Sequence, residues 1–283
     1  MAKPTNVSSI KQLSVFRYPG GKTWFVPFLR HWLQTLDRKP RLLIEPFGGG
    51  GIVTLTAINE GLVSKALLIE KDPAISCVWR VCLSDQASQL AEQIRNFDFN
   101  PLTVVEQIEI NNRSDDPVKV ALSVILLNRI RRGGVMAPGA GILKEGENGN
   151  GLASRWYPET LAKRIESIYS LRSQIEFREG DGLEAIEEYC THKSAAVFAD
   201  PPYTKAGKRL YAHWQLDHQG FLQRVSRIKG NFLITYDDTE EVRAWADKSK
   251  IRWTQIAMRT TGHTLKQELV LGRDLSWISS PLS

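Results

Sequence analysis

The chain has 283 residues, more than one average domain, which suits one α/β domain carrying a sizeable insertion. Hydrophobic residues make up 42% and charged residues 24%, a globular composition with enough apolar material for a core. The net charge of +6 and pI of about 9.2 permit a polyanionic partner without demanding one.

Cys77, Cys82 and Cys190 are odd in number and lack metal-ligand spacing, so they read as buried thiols in a reducing cytosol. Met1 to Ser14 is polar and has no apolar signal-peptide core. No apolar run approaches the roughly 18 residues of a membrane span. A cytoplasmic protein with no membrane partner is expected.

Five apolar runs read as buried strands: Leu42–Ile44, Ala66–Ile69, Ile175–Phe177, Ala195–Ala199 and Asn231–Thr235. Helical patterns lie between them, which implies a parallel sheet covered on both faces. Ligands then belong just beyond the carboxyl ends of the strands. From about Asn111 to Tyr157 the pattern breaks. Val118–Leu127 reads as a buried helix, and a glycine-dense stretch to Gly151 reads as a long functional loop. Pro158 opens a helix with Leu161, Ile165 and Ile168 on one face. Trp253–Arg259 and Gln267–Leu271, around a Gly262-His263 turn, suggest a closing antiparallel hairpin.

Glu45-Pro46-Phe47-Gly48-Gly49-Gly50-Gly51 follows the first strand and opens a helix at Ile52. Its glycines let the backbone turn sharply, and the N–H groups of the helix start can meet an anionic group. Glu70 closes the second strand about 20 residues later, where an acidic residue accepts both hydroxyls of a ribose. The pair points to a bound nucleoside and leaves open a dinucleotide or S-adenosylmethionine.

Asp200-Pro201-Pro202-Tyr203 follows the strand Ala195–Ala199. The two prolines stiffen the corner and remove two donors, leaving fixed carbonyl acceptors. Asp200 and the Pro201 carbonyl can accept both hydrogens of an exocyclic amine, and Tyr203 can stack on the base. That draws the nitrogen lone pair out of the ring and towards a sulfonium methyl. None of the cysteines follows a proline, which argues against cytosine-C5 chemistry. Cytosine-N4 transfer usually carries Ser in place of the Asp.

The order Arg17-Tyr18-Pro19-Gly20-Gly21-Lys22, Glu45 to Gly50, Glu70, an insertion and Asp200 to Tyr203 resembles the α-class (D12 class) DNA adenine-N6 methyltransferases, the Dam-like group. The resemblance implies an α/β, Rossmann-like methyltransferase fold: a mostly parallel sheet with a C-terminal antiparallel hairpin. Residues 1–100 and 165–283 would be catalytic, and 101–164 an inserted target-recognition region. S-adenosylmethionine is the implied cofactor, leaving as S-adenosylhomocysteine, with no metal. Tyr18, Gly20, Gly21, Lys22, Glu45, Pro46, Phe47, Gly48, Gly49, Gly50, Glu70 and Asp200 would contact it. Lys22 would lie near the cofactor carboxylate, beneath the Tyr18 ring. Asp181 would meet the cofactor's adenine or serve as a helix cap. Asp200, Pro201, Pro202 and Tyr203 would hold the target adenine.

Double-stranded DNA is the implied partner. Arg17, Asn128, Arg129, Arg131, Arg132, Lys144, Arg155, Trp156 and Tyr157 are the expected contacts. Arg131 to Gly151 departs from the Dam-type recognition region, so a GATC target is not implied. A monomer or weak dimer in a prokaryote or phage fits, with a cognate restriction endonuclease as an allowed partner. Rival readings are an RNA adenine methyltransferase and a catalytically silent nucleic-acid-binding module. Gly21-Lys22-Thr23 ends like a P-loop, but that motif needs glycine where Phe16 stands and a preceding strand.

Overall fold

A computed structural model describes residues 9–18, 20–144, 151–205, 207–259 and 265–279. Seven strands form one sheet: β1 (Leu42–Glu45), β2 (Lys65–Glu70), β3 (Ile175–Glu179), β4 (Ala195–Ala199), β5 (Asn231–Asp237), β6 (Arg252–Arg259) and β7 (Leu265–Gly272). Their order is β3-β2-β1-β4-β5-β7-β6. The first five are parallel neighbours, and β7 pairs antiparallel with both β5 and β6.

The sequence explains this order. Central strands are apolar at every position because both faces are covered. All five residues of β4 are buried. Side chains alternate between two cores: Leu43, Leu68, Phe198 and Leu233 face one, and Ile44, Leu67, Val197 and Ile234 the other. The expected strands are present: β4 has the expected bounds and the others are extended by one to three residues. The closing pair is antiparallel, with the later strand lying inside. Leu269 to Leu271 are fully buried and take the interior place, whereas β6 is covered on one side only and takes the edge. The Gly262-His263 turn and Pro19 lie outside the described residues.

Asp116 and Asp72 cap the Pro117–Ile130 and Pro73–Cys82 helices, their carboxylates accepting from Val118 N (2.9 Å) and Ala74 N (2.9 Å). Val118, Ile125 and Leu161 belong to the same core as Trp79 and Leu43, so the region spanning 101–164 is built into the main fold. The glycine-dense segment is also tied down over its described part. Arg131 bridges Ile142, Arg132 N donates to Gly141 O at 2.9 Å, and Leu143 N to Ile130 O at 2.8 Å.

No described helix is long and apolar enough to cross a membrane. No group of three or more His, Cys, Asp or Glu among the described residues is placed to hold a metal ion.

Candidate active site

The carboxyl ends of β1, β2 and β4 open onto one cavity, closed at one side by the start of the Gly182–Tyr189 helix. Tyr18, Glu45, Gly48, Gly49, Glu70, Asp181 and Asp200 all line it. The glycine loop therefore meets both the acidic strand end and the proline corner.

The glycines serve the protein's own packing first. A Cβ on Gly49, where φ is +46°, would stand 2.7 Å from the Tyr18 ring. One on Gly48 would stand 2.8 Å from the Ile69 carbonyl. Their absence lets Tyr18 and β2 close onto the loop. Trp79 Nε1 fixes the turn by donating to Gly49 O at 3.0 Å. The Glu45 carboxylate accepts from Thr54 N at 2.8 Å, taking one of the free N–H groups at the start of the Ile52–Asn59 helix. Burial pushes Glu45 up to about 8.

Glu70 is buried, and its carboxylate accepts from Gly49 N (2.6 Å) and Asp72 N (2.8 Å). Burial raises it to about 7, against the pull of those two N–H groups. A carboxylate has about four acceptor positions, so two donors leave room for a ribose diol. Asp181 caps the next helix through Leu183 N (2.9 Å) and pairs with Lys71 (2.8 Å). Burial works to raise it, but those two partners hold it below the usual carboxylate range.

Lys22 lines the cavity and is engaged by the protein itself. Its buried ammonium pairs with Asp200 at 2.8 Å and donates to the Tyr203 hydroxyl (2.8 Å) and Gly20 O (2.8 Å). All three of its hydrogens are thereby used within the protein. Burial opposes the charge, but Asp200 and Glu268 outweigh it and raise the Lys22 pKa. The Tyr18 ring stacks on Tyr211, centroids 5.8 Å apart.

In the corner itself, Thr235 Oγ1 donates to Asp200 at 2.9 Å. Burial, partly offset by Lys22, raises Asp200 to about 6. Pro202 lines the cavity, Pro201 is buried beneath it, and Tyr203 is buried with its hydroxyl donating to Glu268. Asp237 braces the exit, accepting from Thr204 N (3.2 Å) and Thr204 Oγ1 (2.8 Å).

The cavity is rich in acidic side chains. Six carboxylates line it (Glu45, Glu70, Asp72, Asp181, Asp200 and Asp217), and its two lysines, Lys22 and Lys71, are already paired. Burial holds Glu45 and Glu70 partly protonated near neutral pH, but neither lysine is left over to pair with a pyrophosphate. This lining is compatible with S-adenosylmethionine: Glu70 would be available to a ribose, and Asp181, already a helix cap, stands at the same cavity.

The same chemistry is found by comparison. Residues 18–260 match the D12 class N6 adenine-specific DNA methyltransferase family. The chain belongs to that family. Membership makes S-adenosylmethionine the cofactor of this methyltransferase. No curated protein matches the chain. Among solved structures it is similar to a SAM-dependent methyltransferase from Agrobacterium tumefaciens, at 12% identity and a TM-score of 0.42, over 89% of this chain and 61% of that one. The chain thus spans about three-fifths of that protein's length. A methyltransferase from Geobacter sulfurreducens shows 12% identity, 91% and 80% coverage and a TM-score of 0.40. A precorrin-6y C5,15-methyltransferase from Geobacter metallireducens shows 7% identity, 88% coverage of both chains and a TM-score of 0.37. The family assignment rests on the family match and not on these likenesses.

The residues expected at DNA divide by burial. Asn128 is fully buried: its amide accepts from Arg17 N (2.9 Å) and donates to Arg17 O (3.0 Å) and Gly134 O (2.9 Å). Arg129 is buried and donates to Val15 O, and burial, with Arg164, Arg17 and Arg155 nearby, pulls it down to about 9. Arg131 is half-buried and holds the Met136 carbonyl at 2.9 Å. Trp156 packs against Phe97 and Phe99, and Arg17 and Arg155 are half-buried. Arg132, Lys144 and Tyr157 are exposed.

Sequence reasoning missed Glu268, Thr235, Asp237, Trp79 and Asp72. Glu268 left a trace, as a carboxylate next to the apolar run Leu269–Leu271. The other four have no signal outside the fold.

Proposed function

We propose that this methyltransferase transfers the methyl group of S-adenosylmethionine to N6 of an adenine flipped out of double-stranded DNA, at a specific site. The observation that carries the reading is the Asp200-Pro201-Pro202-Tyr203 corner, which presents Asp200 and Pro202 to the acid-lined cavity while Pro201 and Tyr203 are buried behind them. When bound, the cofactor supplies an electrophilic methyl. The chain's own residues do the rest. Asp200, held by Lys22 and Thr235, and the Pro201 carbonyl accept the two amino hydrogens of the base. That localises the nitrogen lone pair, and the preset geometry supplies most of the acceleration. Flipping costs a few kcal/mol, recovered through stacking and hydrogen bonding in the corner.

Arg132, Lys144 and Tyr157 are the exposed recognition residues, and Asn128, Arg129 and Arg131 shape the loop behind them. Residues 101–164 form the recognition region between catalytic segments 1–100 and 165–283. The enzyme acts as a monomer or weak dimer in a prokaryotic or phage cytoplasm, in restriction-modification, phage biology or epigenetic marking.

The test is tritiated methyl transfer to unmethylated genomic DNA, followed by nucleoside analysis. N6-methyldeoxyadenosine is the expected product. Label in structured RNA and none in DNA, at matched salt, would overturn the substrate. Absence of label in both would overturn the activity.

A further inference from the structure

Lys22 sits between two carboxylates from distant parts of the chain. Its ammonium lies 2.8 Å from Asp200 after β4 and 3.2 Å from Glu268 in β7. Glu268 also receives the hydroxyl of Tyr203, which itself accepts from Lys22 at 2.8 Å. Glu268 thus touches both side chains that flank the corner without lining the cavity itself. Lys22 and Glu268 are each nearly fully buried, and Glu268 Oε2 has no hydrogen-bond partner. A buried charge held this far from water needs a reason to remain.

The reason lies in what Asp200 must do. In the proposed reaction it accepts a hydrogen of the substrate amine, yet in the free protein the Lys22 ammonium already engages it. An ammonium with Asp200 as its only carboxylate would compete with the incoming amine. An ammonium with a second carboxylate 3.2 Å away can shift its weight and leave an acceptor position free.

We propose that Glu268 is a positioning residue of this site: it anchors Lys22 and Tyr203 and takes up the Lys22 ammonium as Asp200 turns to the target base. It acts through these two side chains and does not touch the base. The assignment rests on the methyltransferase reading only for the identity of the amine.

The test compares wild type, Glu268→Gln and Glu268→Asp. Gln keeps the shape and one acceptor but removes the charge, and Asp keeps the charge on a shorter arm. In Glu268→Gln, kcat should fall on the order of tenfold to a hundredfold, the cost of displacing a reacting group by about 1 Å. S-adenosylmethionine affinity and melting temperature should stay close to wild type, and Glu268→Asp should recover part of kcat. In a Lys22→Met background, Glu268→Gln should cost less than in wild type, because one of its two partners is gone and only Tyr203 remains. A Glu268→Gln enzyme with kcat within twofold of wild type would overturn the proposal. So would parallel losses of cofactor affinity and melting temperature, which mark a merely structural carboxylate. A readout on the free protein separates this from the substrate reading. The Lys22 side-chain nitrogen, followed by NMR, should titrate at lower pH in Glu268→Gln whatever the acceptor polymer, and an unchanged titration overturns the proposal. Wild type that leaves DNA unlabelled overturns only the substrate.

Discussion

At the scale of residues, the corner was legible and its wiring was not. Four consecutive letters, Asp200 to Tyr203, mark a stiff corner at the strand end because two prolines leave the backbone few alternatives. The partners of Asp200 come from positions 22 and 235, which only the fold brings together. Replacing Asp200 by Ala should lower methyl transfer by about 10²–10³-fold, the usual cost of removing one preorganised polar group. Circular dichroism should report an intact fold, and near-normal turnover would sink the mechanism. Asp200 must be ionised to accept the amine, and its pKa stands near 6. Activity should therefore fall as pH drops through about 6, giving an acid limb in kcat/KM. Lys22 pulls the Asp200 pKa down, so Lys22→Met should move that limb to higher pH. A limb that stays in place in this variant would show that another group controls it.

At the scale of elements, the strands were readable because buried parallel strands are apolar throughout, and β4 was placed to the residue. The interior position of β7 was not readable, since it depends on which closing strand buries more surface. The burial of Asn128 and Arg129 was not readable for a related reason: polar residues at the end of an apolar helix look the same whether they face solvent or another backbone segment. The structure shows Asn128 joining the Pro117–Ile130 helix to Arg17, next to Tyr18. Gly134 makes this possible, because a Cβ there would strike the Arg17 carbonyl. Asn128→Ala should cost about 2–3 kcal/mol, since it strands buried backbone groups at Arg17 and Gly134. It should also weaken cofactor binding, because Tyr18 covers the glycine loop. Thermal melting and calorimetric titration check both. A variant with unchanged stability and cofactor affinity but altered target sequence would return Asn128 to the DNA.

At the scale of the whole molecule, charge is segregated. The net charge is +6, yet six carboxylates line the cofactor cavity. Attraction for a polyanion must therefore come from outside the cavity rim. Among the exposed cations of the described residues are Arg132 and Lys144 in the proposed recognition region, and Lys205, Lys208, Arg209 and Lys266 around the exit of the corner. In the second group, Lys205, Lys208 and Arg209 follow the corner directly in sequence, and only Lys266 is brought in from a distance by the fold. Lys266 belongs there on geometry, its ammonium 5.7 Å from the centre of the Tyr203 ring. Removing one cation that neutralises a phosphate should reduce the slope of log K against log salt by about 0.9. Replacing Arg132 and Lys144 together by Ala should then lower the slope by about 2 and weaken binding to all sequences alike. The measurement is fluorescence anisotropy of a labelled duplex over a salt series. An unchanged slope in that variant, with a reduced slope in Lys205→Ala/Lys208→Ala, would move the duplex from the recognition loop to the corner's exit. A reduced slope in both variants would place the DNA across both groups, as a base flipped into the cavity between them requires.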